Sequence, residues 1–257
     1  MANIAVVSAV VLFFITAISA YIPFFVTRIK DTGTPLSVLN CAAGGVVLGV
    51  LLIHMIPDII PKERDNYPFG AFFAGVCFIV LYGIDFFMST NALDHGVVVT
   101  DAEVNLKAKK KATKMQSIIF LLALSVHSYM EGLGLDGHSN DGITAYLIGI
   151  FAHKWLEAFA LGVSILNAEF PSSFNLFLII LYSCLTPLGI VTGMIIPRTD
   201  RTSEILNGLA AGSFLFVACV EMIPKEFHVK DHVFLKYGMV LFGFFFMSFI
   251  AIFDVPA

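Results

Sequence analysis

"SVHSYMEG" (Ser125–Gly132) and "FAHKWLEAF" (Phe151–Phe159) each place a histidine four residues before a glutamate: His127 with Glu131, and His153 with Glu157. Both stretches lie inside long apolar runs, and the second histidine is followed by Lys154. Ionisable groups inside such runs are costly unless they serve a site. The fold therefore turns on whether these runs cross a membrane.

Composition says that they do. Of the 257 residues, 58% are hydrophobic and 13% are charged, whereas soluble domains are about 45–50% apolar and about 25% charged. Twenty-six Phe against 15 Lys and Arg leave too few charges to coat a water-facing surface. The chain reads as an all-α, polytopic membrane protein, a single transmembrane domain over 1–257. A net charge of −4 says little about partners beyond the lipid bilayer, and no basic patch of a nucleic-acid-binding kind is present. Cys41, Cys77, Cys184 and Cys219 sit singly in apolar runs without CxxC spacing, and read as packing residues. The first apolar run, from Ile4 to Phe25, is as long as a membrane span and is preceded by no basic residue. It reads as a retained helix rather than a cleaved signal.

Working outward, eight segments are long and apolar enough to span: 4–26, 36–57, 68–88, 116–136, 142–167, 174–196, 204–223 and 233–253. Most connections are short and rich in turn residues, such as "DGHSND" and "EFPSS". The one long connection, 89–115, holds "KAKKKATK" and reads as a mobile, solvated cytoplasmic loop. With the N-terminus outside, the cytoplasmic loops hold ten basic residues: Arg28, Lys30, five lysines between 107 and 114, Lys225, Lys230 and Lys236. The opposite loops hold four: Lys62, Arg64, Arg198 and Arg201. The positive-inside rule then puts both termini on the extracytoplasmic side.

The chain also echoes itself. "AAGGVVLGVLLIHMIPD" (Ala42–Asp58) resembles "AAGSFLFVACVEMIPKE" (Ala210–Glu226), in spans that run in opposite directions. An inverted repeat leaves such a trace and suits a transporter whose site lies between its halves. The arrangement expected is 3+2+3, with the two His-x-x-x-Glu spans at the centre.

Residues i and i+4 share one face of an α-helix. Two such pairs on consecutive antiparallel helices can surround one point near mid-membrane with two imidazoles and two carboxylates. That set suits Zn²⁺ or another divalent first-row ion, whose charge the carboxylates offset. Polar bonds between membrane helices contribute only about 0.6–2 kcal/mol, weak justification for two carboxylates in lipid. An intramembrane zinc-dependent hydrolase is the alternative reading, but the spacing is not His-Glu-x-x-His and no separate general base is evident. No nucleotide-binding motif is present, so ATP coupling within the chain is not expected.

These motifs carry a resemblance. His-Ser-x-x-Glu-Gly and His-Lys-x-x-Glu-Ala, with eight spans, a long third loop and "HMIPD" in the second span, resemble the ZIP (Zrt/Irt-like) family of divalent metal transporters. The resemblance implies that His127, Glu131, His153 and Glu157 are the transport ligands. It further implies that metal, Zn²⁺ first with Fe²⁺, Mn²⁺ and Cd²⁺ as further cargo, moves into the cytoplasm from outside or from an organelle. Relatives with a two-metal site carry an Asn-type ligand and an acidic residue where this chain has Ser128 and Lys154. A protonated lysine cannot ligate. The expectation is one ion at a time, with Lys154 a charge partner to both glutamates. The long loop lacks a histidine run and offers only His95 beside Asp94.

Secondary positions follow from topology. His54, Asp58, Asp136 and His138, with Asp141, are candidates for an inlet that concentrates cations. Glu221 and Asp85 are candidates for the outlet, with Glu226, His228 and His232 beyond them. Pro57, Pro187 and Pro224, with Gly132, Gly134 and Gly193, are candidates for kinks or close packing. No cofactor is expected, the metal being cargo, and a homodimer is an admissible assembly.

Overall fold

A computed structural model describes residues 2–27, 33–60, 67–93, 102–135, 140–195, 199–228 and 231–252. Every regular element among them is helical: α1 (Ala2–Val26), α2 (Gly33–Gly49), α3 (Ile56–Ile59), α4 (Phe69–Leu93), α5 (Ala102–Gly134), α6 (Asn140–Asn167), α7 (Ser172–Gly193), α8 (Asp200–Phe216), α9 (Ile223–His228) and α10 (Val233–Ile252). α2 runs into α3, and α8 into α9, through wider π-helical turns at Val50–Met55 and Val217–Met222. Eight spans long and apolar enough to cross a membrane result, from Ile4–Val26 to Val233–Ile252. The eight spans expected from sequence are thus present, with ends displaced by a few residues.

The two π turns fall at the same place in the echoed motif, each ending on the Met of Met-Ile-Pro. The cause is local. Pro57 and Pro224 lack an N–H, and their rings crowd the carbonyl four residues back. The residue before each proline donates instead five residues back: Ile56 N–H to Leu51 O, and Ile223 N–H to Ala218 O. His54 and Glu221, the polar residues of the motif, both sit on these turns.

The central helices are α5 and α6, of whose span windows 67% is buried, against 11% for α4 and 17% for α10. α5 packs along α7, α1 along α6, α2 along α10 and α4 along α8. Small residues allow the close crossings. A Cβ on Gly132 would meet Thr186 O at 2.2 Å, and one on Gly189 would meet Tyr129 O at 2.3 Å. Gly189→Val must therefore push α7 off the helix that carries His127 and Glu131. We expect a stability loss of about 1–3 kcal/mol, as for overpacked cores. Thermal melting checks it, and an unchanged melting point would contradict the crossing.

The expected loop 89–115 is shorter than its sequence suggested. α4 continues to Leu93 and α5 begins at Ala102, so the lysine-rich stretch is helical. Lys, Ala, Glu and Leu are good helix formers, and 102–131 contains no Gly or Pro. At its foot Lys110 Nζ donates to Glu169 Oε2 at 2.8 Å, beside the α6–α7 turn. That bond holds the exposed Glu169 carboxyl below the usual carboxylate range. Asp94, His95, Asp136, His138 and six of the fourteen basic residues used for orientation (Arg28, Lys30, Lys62, Arg64, Arg198, Lys230) lie outside the described residues.

Candidate metal centre

α5 presents His127 and Glu131 to α6, which answers with His153, Lys154 and Glu157. All five are buried, Lys154 and Glu157 at 0% exposure. Each ligand residue offers one atom to a cluster in which all four lie within 4.8 Å of one another. Glu131 Oε1 stands 2.8 Å from His153 Nε2 and 3.8 Å from His127 Nε2. Glu157 Oε1 stands 3.2 Å from His153 Nε2 and 3.6 Å from His127 Nε2. Zn–N and Zn–O bonds of about 2.0–2.2 Å imply tetrahedral edges of about 3.4 Å. The four observed edges straddle that value and the remaining two are no longer than 4.8 Å, so side-chain adjustments of about 1 Å suffice for a tetrahedron.

Protonation permits the same use. His153 Nδ1 lies 2.7 Å from Gly149 O; a carbonyl only accepts, so Nδ1 carries the hydrogen. Nε2 then either donates to Glu131 Oε1 at 2.8 Å, as an imidazolium, or, in the neutral ring, turns its lone pair toward the two carboxylate oxygens, where it can bind a cation. His127 Nε2 and Glu157 Oε1 have no hydrogen-bond partner among the described residues although both are buried. Buried polar atoms without partners are costly, and here two of them face the point where an ion would sit. The donor set, two nitrogens and two oxygens, fits Zn²⁺ and its neighbours in the first row.

Each glutamate divides its oxygens between two tasks. The Oε1 atoms face the imidazoles, while both Oε2 atoms face Lys154. Its Nζ donates to Glu131 Oε2 at 2.6 Å, Glu157 Oε2 at 3.3 Å and Ser128 Oγ at 2.9 Å. A buried charge is tolerable when paired and hydrogen-bonded, and Lys154 is both. The two positions that depart from the two-metal pattern, Ser128 and Lys154, thus contact each other.

Two further residues close the site and were missed in the sequence. Tyr182 on α7, 1% exposed, donates its hydroxyl to Glu157 Oε2 at 3.2 Å, with Lys154 Nζ 5.7 Å from its ring centre. Phe214 on α8 stacks on His127, centroids 3.5 Å apart and 18° from parallel. Tyr182 carried one legible signal, a hydroxyl in an apolar span. Phe214 carried none. Hydrogen bonds to charged groups contribute about 1.5–3 kcal/mol, so Tyr182→Phe should weaken zinc binding about tenfold or more. A competition titration with a zinc chelator reads this, and unchanged affinity would remove Tyr182 from the site.

His153 and Glu157 bracket the middle of the span Tyr146–Asn167, while Glu131 stands three residues before the end of the span Lys110–Gly134. Of the secondary candidates among the described residues, none joins the cage. His54 is partly buried on its π turn and Asp58 is exposed on α3. Glu221 is 5% exposed and pairs with Lys225, and Asp85 on α4 is close enough to interact with its charge. Glu226 accepts from Ser37 Oγ and, at 2.6 Å, from Asn40 Nδ2, tying α9 to α2. His228 Nδ1 contacts Pro224 O at 2.8 Å, and His232 is exposed with φ 46°. No disulfide joins the four cysteines.

Comparison with known proteins returns zinc transporters. The family model described as "ZIP Zinc transporter" matches residues 2–103 and 100–251. "Protein zntD" of Dictyostelium discoideum is 40% identical over 152 residues, 56% of this chain and 22% of that protein. "Zinc transporter ZIP2" of Homo sapiens is 26% identical over 268 residues, covering 84% of this chain and 85% of its own length. "Zinc transporter ZIP1" of Danio rerio is 26% identical over 255 residues, 83% of each chain. The chain thus spans less than a quarter of zntD but most of the other two.

Proposed function

The chain belongs to the ZIP zinc transporter family, and from that premise we propose that it carries Zn²⁺ through the His127–Glu131–His153–Glu157 cage, one ion at a time. The family is one of transporters, not enzymes, and the chain is an integral, multi-pass membrane protein. The observation that carries the proposal is the convergence of four buried ligand atoms within 4.8 Å, two of them without hydrogen-bond partners.

The chemistry follows from the donors. Hydrated Zn²⁺ exchanges its waters for two imidazoles and two carboxylates, whose charge compensates for leaving water. Lys154 holds the outer oxygens of both carboxylates and stands where a second ion would need to be. Fe²⁺, Mn²⁺ and Cd²⁺ are further cargo by the same donor chemistry. Transport runs into the cytoplasm with both termini extracytoplasmic, the orientation that the basic residues favour. His54, Asp58, Asp136 and His138 attract the ion on the inlet side, and Glu221 with Asp85 receives it on the other. Alternating access rests on the inverted repeat; the matching π turns and the parallel pairings of α2 with α10 and α4 with α8 support it. A homodimer would use the least buried spans, α4 and α10. The hydrolase alternative fares worse, because the glutamate oxygens turned from the histidines are taken by Lys154 and Tyr182 rather than held ready as a base.

Purified protein in liposomes loaded with a zinc indicator tests the proposal. Uptake should saturate with zinc and vanish in His127→Ala. Uptake undiminished in that variant would remove the cage from the pathway.

A further inference from the structure

The strongest charged feature outside the cage lies at the foot of α5. Lys107, Lys109, Lys110, Lys111 and Lys114 fall within eight residues of one continuous helix, whose apolar span begins at Lys110. Helical register puts positions 107, 110, 111 and 114 on one face, with 109 to its side. Lys110 and Lys111 are exposed and Lys114 is partly buried. Lys114 Nζ lies 5.6 Å from the centre of the Phe170 ring, so the stem of the cluster rests on the α6–α7 turn. Glu169 answers Lys110, and Glu103 stands four residues before Lys107. At least three of the five positive charges remain in excess of these two.

We propose that this basic foot docks on anionic phospholipid headgroups of the leaflet that α5 enters. Its depth selects the partner. At 1.5 Å per residue, positions 107–114 extend over about 10 Å of helix axis, enough to cross the headgroup layer of about 5–8 Å beside the hydrocarbon core. The lysines are strung along the axis rather than gathered round a pocket, which suits several headgroups in a plane more than one soluble anion. A polybasic segment next to a span gains about fivefold in anionic-lipid affinity per lysine. The inference rests on the reading of the chain as a bilayer-spanning transporter, since it needs α5 to enter a leaflet at Lys110. Docking would steady the helix that bears His127 and Glu131.

The test uses the full chain in nanodiscs of phosphatidylcholine with a tenth of phosphatidylserine, counting retained lipids by native mass spectrometry. The unmodified protein should enrich phosphatidylserine, and Lys107→Gln/Lys109→Gln/Lys111→Gln should lower that enrichment at least about tenfold. Raising salt from about 0.05 M to about 0.5 M shortens the screening length, so enrichment by the unmodified protein should fall as well. Equal enrichment in the triple variant, no salt dependence, or equally tight binding of free glycerophosphoserine in detergent would each overturn the proposal. Zinc uptake in pure phosphatidylcholine is read separately, so failure of lipid docking and failure of transport are distinguishable.

Discussion

Glu157→Ala should abolish zinc uptake and also destabilise the protein, whereas Glu157→Gln should abolish uptake at a smaller stability cost. Glu157 is fully buried and serves both halves of the site. Its Oε1 lies 3.2 Å from His153 Nε2 and 3.6 Å from His127 Nε2. Its Oε2 accepts from Lys154 at 3.3 Å and Tyr182 at 3.2 Å. Alanine removes one of four ligands, leaves Lys154 paired with Glu131 alone, and orphans the Tyr182 hydroxyl. Breaking a buried ion pair from one side costs about 3–5 kcal/mol. Glutamine keeps the volume and an oxygen to accept from Tyr182, but not the charge. Loss of an outer-sphere partner already costs 10–100-fold in metal affinity, so loss of a charged ligand should exceed about 100-fold. Radioactive zinc uptake together with thermal melting reads both effects. Uptake within about tenfold of the unmodified protein in either variant would remove Glu157 from the pathway.

Lys154 gives the second large effect. The site holds two carboxylates and one ammonium, a net charge of −1 before any ion arrives. Lys154→Met leaves −2 and removes a positive charge from the immediate surroundings of the cargo. Unit charges 4 Å apart interact by about 4 kcal/mol at an effective dielectric of 20. Even a third of that tightens zinc binding about tenfold and should slow release, so affinity rises while turnover falls. Lys154→Asp goes further, because a carboxylate beside Glu131 Oε2, Glu157 Oε2 and Ser128 Oγ supplies ligands for a second cation. Native mass spectrometry should then count two zinc ions per chain instead of one. Unchanged stoichiometry in Lys154→Asp, with unchanged affinity in Lys154→Met, would show that Lys154 does not set the ion count.

Much of this was legible in the sequence because membrane burial makes polar residues conspicuous. His127, Glu131, His153 and Glu157 stood out by the cost of placing them in apolar runs, and helix periodicity fixed which faces they share. Ser128 and Lys154 stood out by position, and the structure brings them into contact. Tyr182 and Phe214 are different: they reach the cage from α7 and α8, and no local rule states which distant helix packs there. The lysine-rich 102–115 stretch was ambiguous for a physical reason, since its residues suit both solvent and helix. Only its continuity with the apolar part of α5 decides the matter. The two prolines of the echoed Met-Ile-Pro motif announced a disturbance, but not that it takes the form of a π turn.

X-ray absorption at the zinc edge, on purified protein loaded with one equivalent of zinc per chain, tests the four-residue cage most directly. The expected spectrum has a first shell of nitrogen and oxygen alone at about 2.0–2.2 Å, with the outer-shell scattering of two imidazoles, and it changes in Glu157→Gln. A sulfur shell at about 2.3 Å, which only Cys41, Cys77, Cys184, Cys219 or a methionine could supply, or a spectrum without imidazole scattering, would contradict it.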